Sequence, residues 1–541
     1  MLLRISGTIA DVVEGTFYPG TLEIKNNKIS SIERGGGPYN TFIIPGLIDA
    51  HVHIESSMMV PSEFARLAVR HGTVATVSDP HEIANVLGTR GIDFMIENSS
   101  QTDFKFYFGA SSCVPATIFE TSGASIGLDQ IEELLKRDDI KYLSEMMNYP
   151  GVLNEDKSVM EKIALAKKYG KRIDGHAPGL RGASIKKYIG HGITTDHETF
   201  SYPEGLEKIQ NGMKVQIREG SAAKNLDALL ALLDEFPDHC MFCSDDKHPN
   251  DLVHGHINDL VKRALKYGID PMKVLRCASL NPVRHYNLEV GLLQKGDHAD
   301  LVVVDDLEHF NVLKTFINGR LVAEAGKTLL PKVSFEAVNN FAVRKKTAEE
   351  FSVRTKGSVM NIIVAEDGQL ITKRLCEAPK DSGVKAVSDI SRDILKIVVV
   401  NRYHDAPPAV GFIKNIGLRK GAIAASVAHD SHNIVAAGVT DEDIARAVNI
   451  VIENRGGLSV VYDDTEKSLA LPVAGLMSDR DGFEVAEKYS ELDRHAKGIG
   501  SKLTAPFMTL SFMALLVIPE IKLSDKGLFD SNKFNFIPLF E

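Results

Sequence analysis

Cysteine is scarce in this chain, with five in 541 residues. A disulfide scaffold is thereby excluded, since such folds crowd cysteines into a short chain. Long apolar runs are also missing. The longest near the end, 512–518 (FMALLVI), falls far short of the roughly 20 residues a membrane span needs. The first seven residues, MLLRISG, do not set a basic region before an apolar stretch, so no signal peptide is expected and the cytoplasm is the expected compartment. Positive charge is not in excess. Lys and Arg number 62 against 72 Asp and Glu, a net charge of -10, which argues against nucleic acid as a partner because phosphate binding wants a basic surface. A glycine-rich GxxxxGK[ST] phosphate cradle is absent, which argues against a nucleotide ligand. There is no internal repeat and no low-complexity tract.

What is present is ordinary for a globular protein, at 44% hydrophobic and 25% charged residues. A chain this long exceeds one ordinary core, so about two to four domains are expected.

The chain is organised around residues 42–55, FIIPGLIDAHVHIE. An apolar run passes Pro45-Gly46 and then delivers His51 and His53. Residues i and i+2 of a strand face the same side, so both imidazoles project together. Two convergent imidazoles suit a divalent metal.

Residues 1–44 read as short strands and turns, too little chain for a stable sheet alone. From 45 to 280 a strand–loop–helix rhythm repeats. Strands are expected at 47–53, 73–79, 105–111, 141–147, 172–177, 193–198, 213–219 and 240–246. Helices are expected at 61–70, 128–136, 155–169, 224–235 and 257–267. Eight such units predict a (β/α)8 TIM-like barrel. The strands end in polar residues: His51 and His53, Asp79 then His81, Glu145, His176, His197 with Glu198, Arg218 with Glu219, Asp245 with Asp246. In such barrels the C-terminal strand ends carry the active site. Residues 281–334 return to strands and turns and are expected to pair with 1–44 as a split small β-sandwich. Residues 335–541 are expected to form a further α+β domain. There, strands are predicted at 361–364, 394–400 and 458–462, and Thr440 should cap a helix over 444–453 that ends at Arg455-Gly456-Gly457.

These motifs resemble the amidohydrolase superfamily, in PGLIDAHVH and in the later GxxxxGxxADLVVVD pattern. Within it the chain is similar to the bacterial-type adenine deaminase family. The closer likeness lies in 45–57 (PGLIDAHVHIESS), 78–86 (SDPHEIANV), 144–152 (SEMMNYPGV), 174–179 (DGHAPG), 195–198 (TDHE), 244–249 (SDDKHP) and 428–433 (AHDSHN). It spans essentially the whole chain, including 335–541.

The resemblance implies a metal-dependent hydrolase that converts adenine to hypoxanthine and ammonia, with two divalent metals per chain. His51, His53 and Asp245 would hold the more buried metal, His176 and His197 the second, with Glu145 bridging. Many relatives place a carbamylated lysine on strand four; here Lys141 stands at the start of that strand, away from the site end. Nitrogen and oxygen ligands without thiolate suit manganese, iron or zinc, and the resemblance favours manganese or iron. Asp245, Glu198 and Glu55 are candidates for proton transfer, with orientation of the histidines the alternative for the last two. Candidates for substrate contact are His81, Asp246, His248, Arg218, Glu219, His429 and His432. Arg218 and Glu219 could equally form an internal ion pair. The 429–433 segment is expected over the barrel mouth. A homo-oligomer is expected.

Two weaker readings compete. A cyclic-amide hydrolase of the dihydropyrimidinase or hydantoinase type would normally carry the strand-four lysine and lack 335–541. A non-catalytic barrel would have lost ligands, whereas all six candidates stand. Cys240 and Cys243 form a CxxC, but His239 rather than proline precedes it, so the zinc nucleobase-deaminase signature is not met and both are expected in the core.

Overall fold

A computed structural model describes residues 2–221, 223–381 and 383–541. Five parallel strands, Leu47–Val52, Thr73–Ser78, Lys105–Ala110, Ile140–Met146 and Arg172–Gly175, pair in chain order. Three more, Thr195–Asp196, Lys214–Arg218 and Cys240–Cys243, form a second arc. The arcs join at both seams. Thr194 N donates to Ile173 O at 2.9 Å, and Asp245 N donates to His51 O at 2.9 Å. Eight strands with helices between them thus close a (β/α)8 barrel. Each strand overlaps its expected range, the sixth and eighth being shorter than expected. The sixth is the shortest, because side chains take over its pairing: Asp196 accepts from Ala177 N at 2.7 Å and from Lys208 Nζ at 2.8 Å.

The surrounding helices follow their apolar spacing. In Ile257–Tyr267 the buried apolar residues are Ile257, Leu260, Val261 and Ala264, one stripe of a helix, and Gly268 ends it at φ 100°. Gly46 marks the passage into the barrel, since a Cβ there would stand 2.2 Å from Val74 Cγ2.

Leu3–Asp11, Thr16–Lys25, Lys28–Arg34 and Phe42–Pro45 share one eight-stranded sheet with Leu301–Val304, Val312–Ile317, Arg320–Glu324 and Lys327–Thr328. The halves meet where Phe42–Pro45 runs antiparallel to Leu301–Val304. The sheet curls until Lys28 bridges His298, enclosing Ile9, Leu22, Ile43, Leu301 and Phe316.

A second eight-stranded sheet lies in the C-terminal part, with Ile394–Val400 and Ile434–Gly438 adjacent at its centre. The helix Asp441–Glu453 covers one face, and Thr440 Oγ1 accepts from Asp443 N at 3.1 Å as its cap. That cap is worth about 1 kcal/mol. Burial of Ile444, Val448 and Val451 against Val398 and Val461 contributes about 1.5–3 kcal/mol per side chain, so packing outweighs capping. On the other face, one continuous core runs from Ile397 and Val399 to barrel residues such as Val77 and Ile83. Polar ties reinforce it: Asn433 Nδ2 donates to Thr121 O at 2.8 Å and Arg66 to Asp481 at 2.9 Å.

Candidate active site

The first barrel strand ends by presenting His51 and His53, both buried. His53 Nδ1 lies 3.1 Å from the Asp79 carbonyl oxygen. A carbonyl only accepts, so this nitrogen carries the proton and Nε2 offers its lone pair. That Nε2 stands 3.2 Å from His51 Nε2, 3.2 Å from Asp245 Oδ1 and 3.3 Å from Glu145 Oε1.

Glu145 ends the fourth strand and divides its two oxygens. Oε1 faces His53 and, at 3.4 Å, His81 Nδ1. Oε2 faces His176 Nδ1 at 2.8 Å and His197 Nε2 at 3.3 Å. The other end of this strand carries Lys141, which is exposed. Asp245 sits at φ 53°, a left-handed conformation uncommon for a non-glycine residue. The backbone is held there by Asp49 beneath it, which accepts from Ser244 N at 2.9 Å and pairs with His256 Nε2 at 2.8 Å.

The donor set fits divalent metal. Imidazole nitrogens and carboxylate oxygens of His51, His53 and Asp245 converge, as do those of His51, Glu145 and His197, within 4.8 Å in each group. A further group, His53, Asp79, His81 and Glu145, overlaps the first.

Arg218 decides the protonation of the acids around this centre. It is fully buried. Its guanidinium grips Glu198 with two nitrogens, one of them at 2.9 Å, and Asp245 Oδ2 at 2.7 Å. Burial works against charge on both acids, yet the guanidinium and the imidazoles hold both carboxyls below their ordinary range. Arg218 thus forms a buried ion pair, with Glu198 and Asp245 rather than with Glu219, and is not among the residues that line the cavity.

The small cavity over the centre is closed from above by the C-terminal part. His53, Glu145, His176, Glu198 and Asp245 line it from the barrel together with His81, Glu82 and Asp246; His429, Asp430, Leu370, Phe512, Leu515 and Ile518 line it from the later chain. Glu82 spans the two, its oxygens at 2.5 Å from His429 Nδ1 and 2.5 Å from His432 Nε2. Burial opposes charge on His429, but the Glu82 carboxylate outweighs it and raises the imidazole to about 9. His432 is lowered to about 4 by burial. Among the described residues, His429 Nε2 and Asp430 Oδ2 are buried without hydrogen-bond partners, the latter 3.9 Å from His81 Nε2. A wider cavity of about 720 Å³ adjoins this one, sharing Met147, His176, Glu198, Leu370 and Ile518 and opening past Phe200.

Several residues expected at the site, three as substrate contacts and Glu55 for proton transfer, lie outside the cavity. Glu219 pairs with Arg263 and accepts from Leu226 N. His248 meets Tyr489 OH at 2.5 Å, and burial lowers it to about 3. Glu55 accepts from Ile83 N at 3.1 Å, and burial raises it to about 7. His432 stands behind Glu82. None of these four lines the cavity. Conversely, Glu82, Asp430 and Phe512 line the cavity but were not singled out from the sequence. Glu82 and Asp430 lie inside the motif stretches 78–86 and 428–433, next to histidines that were. Cys240 and Cys243 are free and buried in the core.

Against known proteins, the profile of the amidohydrolase family matches residues 42–322. The profile of the adenine deaminase C-terminal domain matches 369–535. The adenine deaminase of a Sulfurovum species is 57% identical over 536 residues, covering 99% of each chain. That of Methanosarcina mazei is 52% identical over 550 residues, covering 99% of each. That of Salinibacter ruber is 51% identical over 539 residues, covering 99% of this chain and 98% of the relative. With the barrel and its cluster of imidazoles and carboxylates, these matches define a metal-dependent hydrolase barrel of the amidohydrolase family. Within that family the chain belongs to the adenine deaminases.

Proposed function

We propose that this chain hydrolyses adenine to hypoxanthine and ammonia at a binuclear centre bridged by Glu145. The observation that carries the reading is the division of the Glu145 carboxylate, one oxygen toward His53 and the other toward His176 and His197. His51, His53 and Asp245 would hold one divalent metal and His176 and His197 the other, manganese or iron being the expected ions. Bound there, the metals would supply Lewis acidity and a nucleophile at neutral pH.

The chain's own groups handle the protons. Water contributes its oxygen to C6 and two protons to the products, one reaching the departing amine and one the ring nitrogen. Asp245 takes the first from water; Oδ1 faces the imidazoles while Arg218 steadies Oδ2. Glu198, on the other arm of Arg218, balances the charge. Asp246, His429 and Asp430, which line the cavity, would donate to the ring and the amine. His81 contacts both Glu145 and Asp79 and orients the bridge. The lid residues exclude water, which strengthens every charge interaction inside. No helix among the described residues is long and apolar enough to cross a membrane. A cytoplasmic homo-oligomer is the setting proposed, to be checked by fractionation and light scattering.

Ammonia release from a purine panel tests the reading. A site that hydrogen-bonds the N1 and C6 amine region should prefer adenine over cytosine or guanine by about 10⁴-fold. Glu145→Gln should lower kcat by roughly 10³-fold or more, since a neutral amide cannot serve two cations. Near-normal turnover in that variant would rule Glu145 out as the bridge, and equal efficiency on cytosine would move the substrate elsewhere.

A further inference from the structure

Lys522 has no part in the chemistry described above. It lies on the strand Ile521–Ser524 and is 0% exposed. No carboxylate among the described residues pairs with it; its Nζ donates to two backbone carbonyls, Leu370 O at 2.7 Å and Phe512 O at 3.0 Å. Burial alone draws the ammonium down to about 7. A buried lysine without a counter-charge is costly, and an apolar chain of the same length would fill the slot more cheaply unless its donors matter.

Both acceptors belong to residues that line the catalytic cavity. Phe512 stacks on His429 with centroids 4.4 Å apart and rings within 13°, and His429 is bound to Glu82 of the barrel. Leu370 belongs to the 368–371 segment, which walls the wider cavity together with 517–519. These two segments are tied together: Thr372 N donates to Pro519 O at 2.9 Å, Glu520 N to Thr372 O at 3.1 Å, and Thr372 Oγ1 to Ile521 O at 2.8 Å. Lys522 adds the link from this pair to Phe512.

We propose that Lys522 is a positioning residue for substrate binding, fixing Leu370 and Phe512, two of the apolar walls of the cavity, by joining their carbonyls through one ammonium. The proposal rests on adenine binding in that cavity.

The test compares full-length, metal-loaded Lys522→Met and Phe512→Ala with wild type. For Lys522→Met we expect unchanged metal content, a KM for adenine raised about tenfold, and kcat lowered less than about threefold, the pattern of lost binding rather than lost chemistry. Amide exchange at 368–371 and 512–519 should accelerate. Lys522→Gln, which keeps two N–H donors, should give an intermediate KM, and it carries the test if the methionine variant does not fold. A wild-type KM in Lys522→Met, with KM raised in Phe512→Ala, overturns the role of Lys522 alone. Wild-type KM in both overturns the placement of adenine in this cavity as well.

Discussion

A guanidinium with no solvent contact is tolerable only when its charge is answered, and Arg218 is answered twice, by Glu198 and Asp245. Removing it would leave two buried carboxylates facing imidazoles without their cation. Breaking a buried pair from one side typically costs about 3–5 kcal/mol. Arg218→Met is therefore expected to lose stability of that order in urea unfolding of the metal-loaded enzyme; a loss below about 1 kcal/mol would mean the acids do not depend on it. Glu120 shows the opposite case. It is buried, accepts from Thr117 Oγ1 at 3.1 Å, and burial, with Asp430 nearby, raises it to about 8 from 4.5. A folded value above the unfolded one means the native state holds the extra proton. Its stabilising contribution is full below about 4.5 and is lost as pH rises toward 8, with a slope of at most about 1.4 kcal/mol per pH unit. Glu120→Gln should flatten that stretch of the stability–pH curve and be more stable than wild type at pH 8. An unchanged slope would contradict it. At this scale the sequence was informative for residues that a strand end places by itself, such as His51, His53 and Glu145. It was uninformative for Glu82, Asp430 and Lys522, whose partners lie about 350, 350 and 150 positions away or on another element, because no local pattern encodes a contact between distant segments.

Elements were legible where a period or a cap repeats. The eight barrel strands are short segments that end in polar residues, and the helix Asp441–Glu453 announces itself by Thr440 and three acids in its first turn. The run 512–518 illustrates what periodicity leaves out: it reads as apolar chain too short for a membrane, and its Phe512, Leu515 and Ile518 wall the cavity instead. The loop 428–433 has no period at all, yet it carries the groups that reach Glu82. Replacing His429 and His432 together with alanine should lower kcat/KM for adenine by about 10²-fold, a typical loss when positioned donors leave a water-excluded site, while metal content stays unchanged. Retained kinetics would reduce the loop to a structural contact. Thr440→Ala is the contrasting change: a loss of about 1 kcal/mol from the helix cap with kcat/KM intact, read by thermal unfolding and ammonia release.

At the scale of the whole molecule, the barrel alone does not finish the cavity. One sheet gathers chain from both sides of the barrel, and a continuous apolar core joins the barrel to the C-terminal sheet, so the lid residues are set by the same packing that stabilises the fold. The length of the chain indicates several units, but which face of the last one covers the barrel depends on contacts such as Asn433 to Thr121, which only the folded chain reveals. The central claim is that Glu145 serves two metals in one reaction centre. The direct measurement is ammonia release from adenine as metal-free, full-length enzyme is titrated with manganese, with bound metal counted at each step. Activity should rise until about two equivalents are bound per chain and then level off. Full activity at one equivalent, or with none, would contradict the claim.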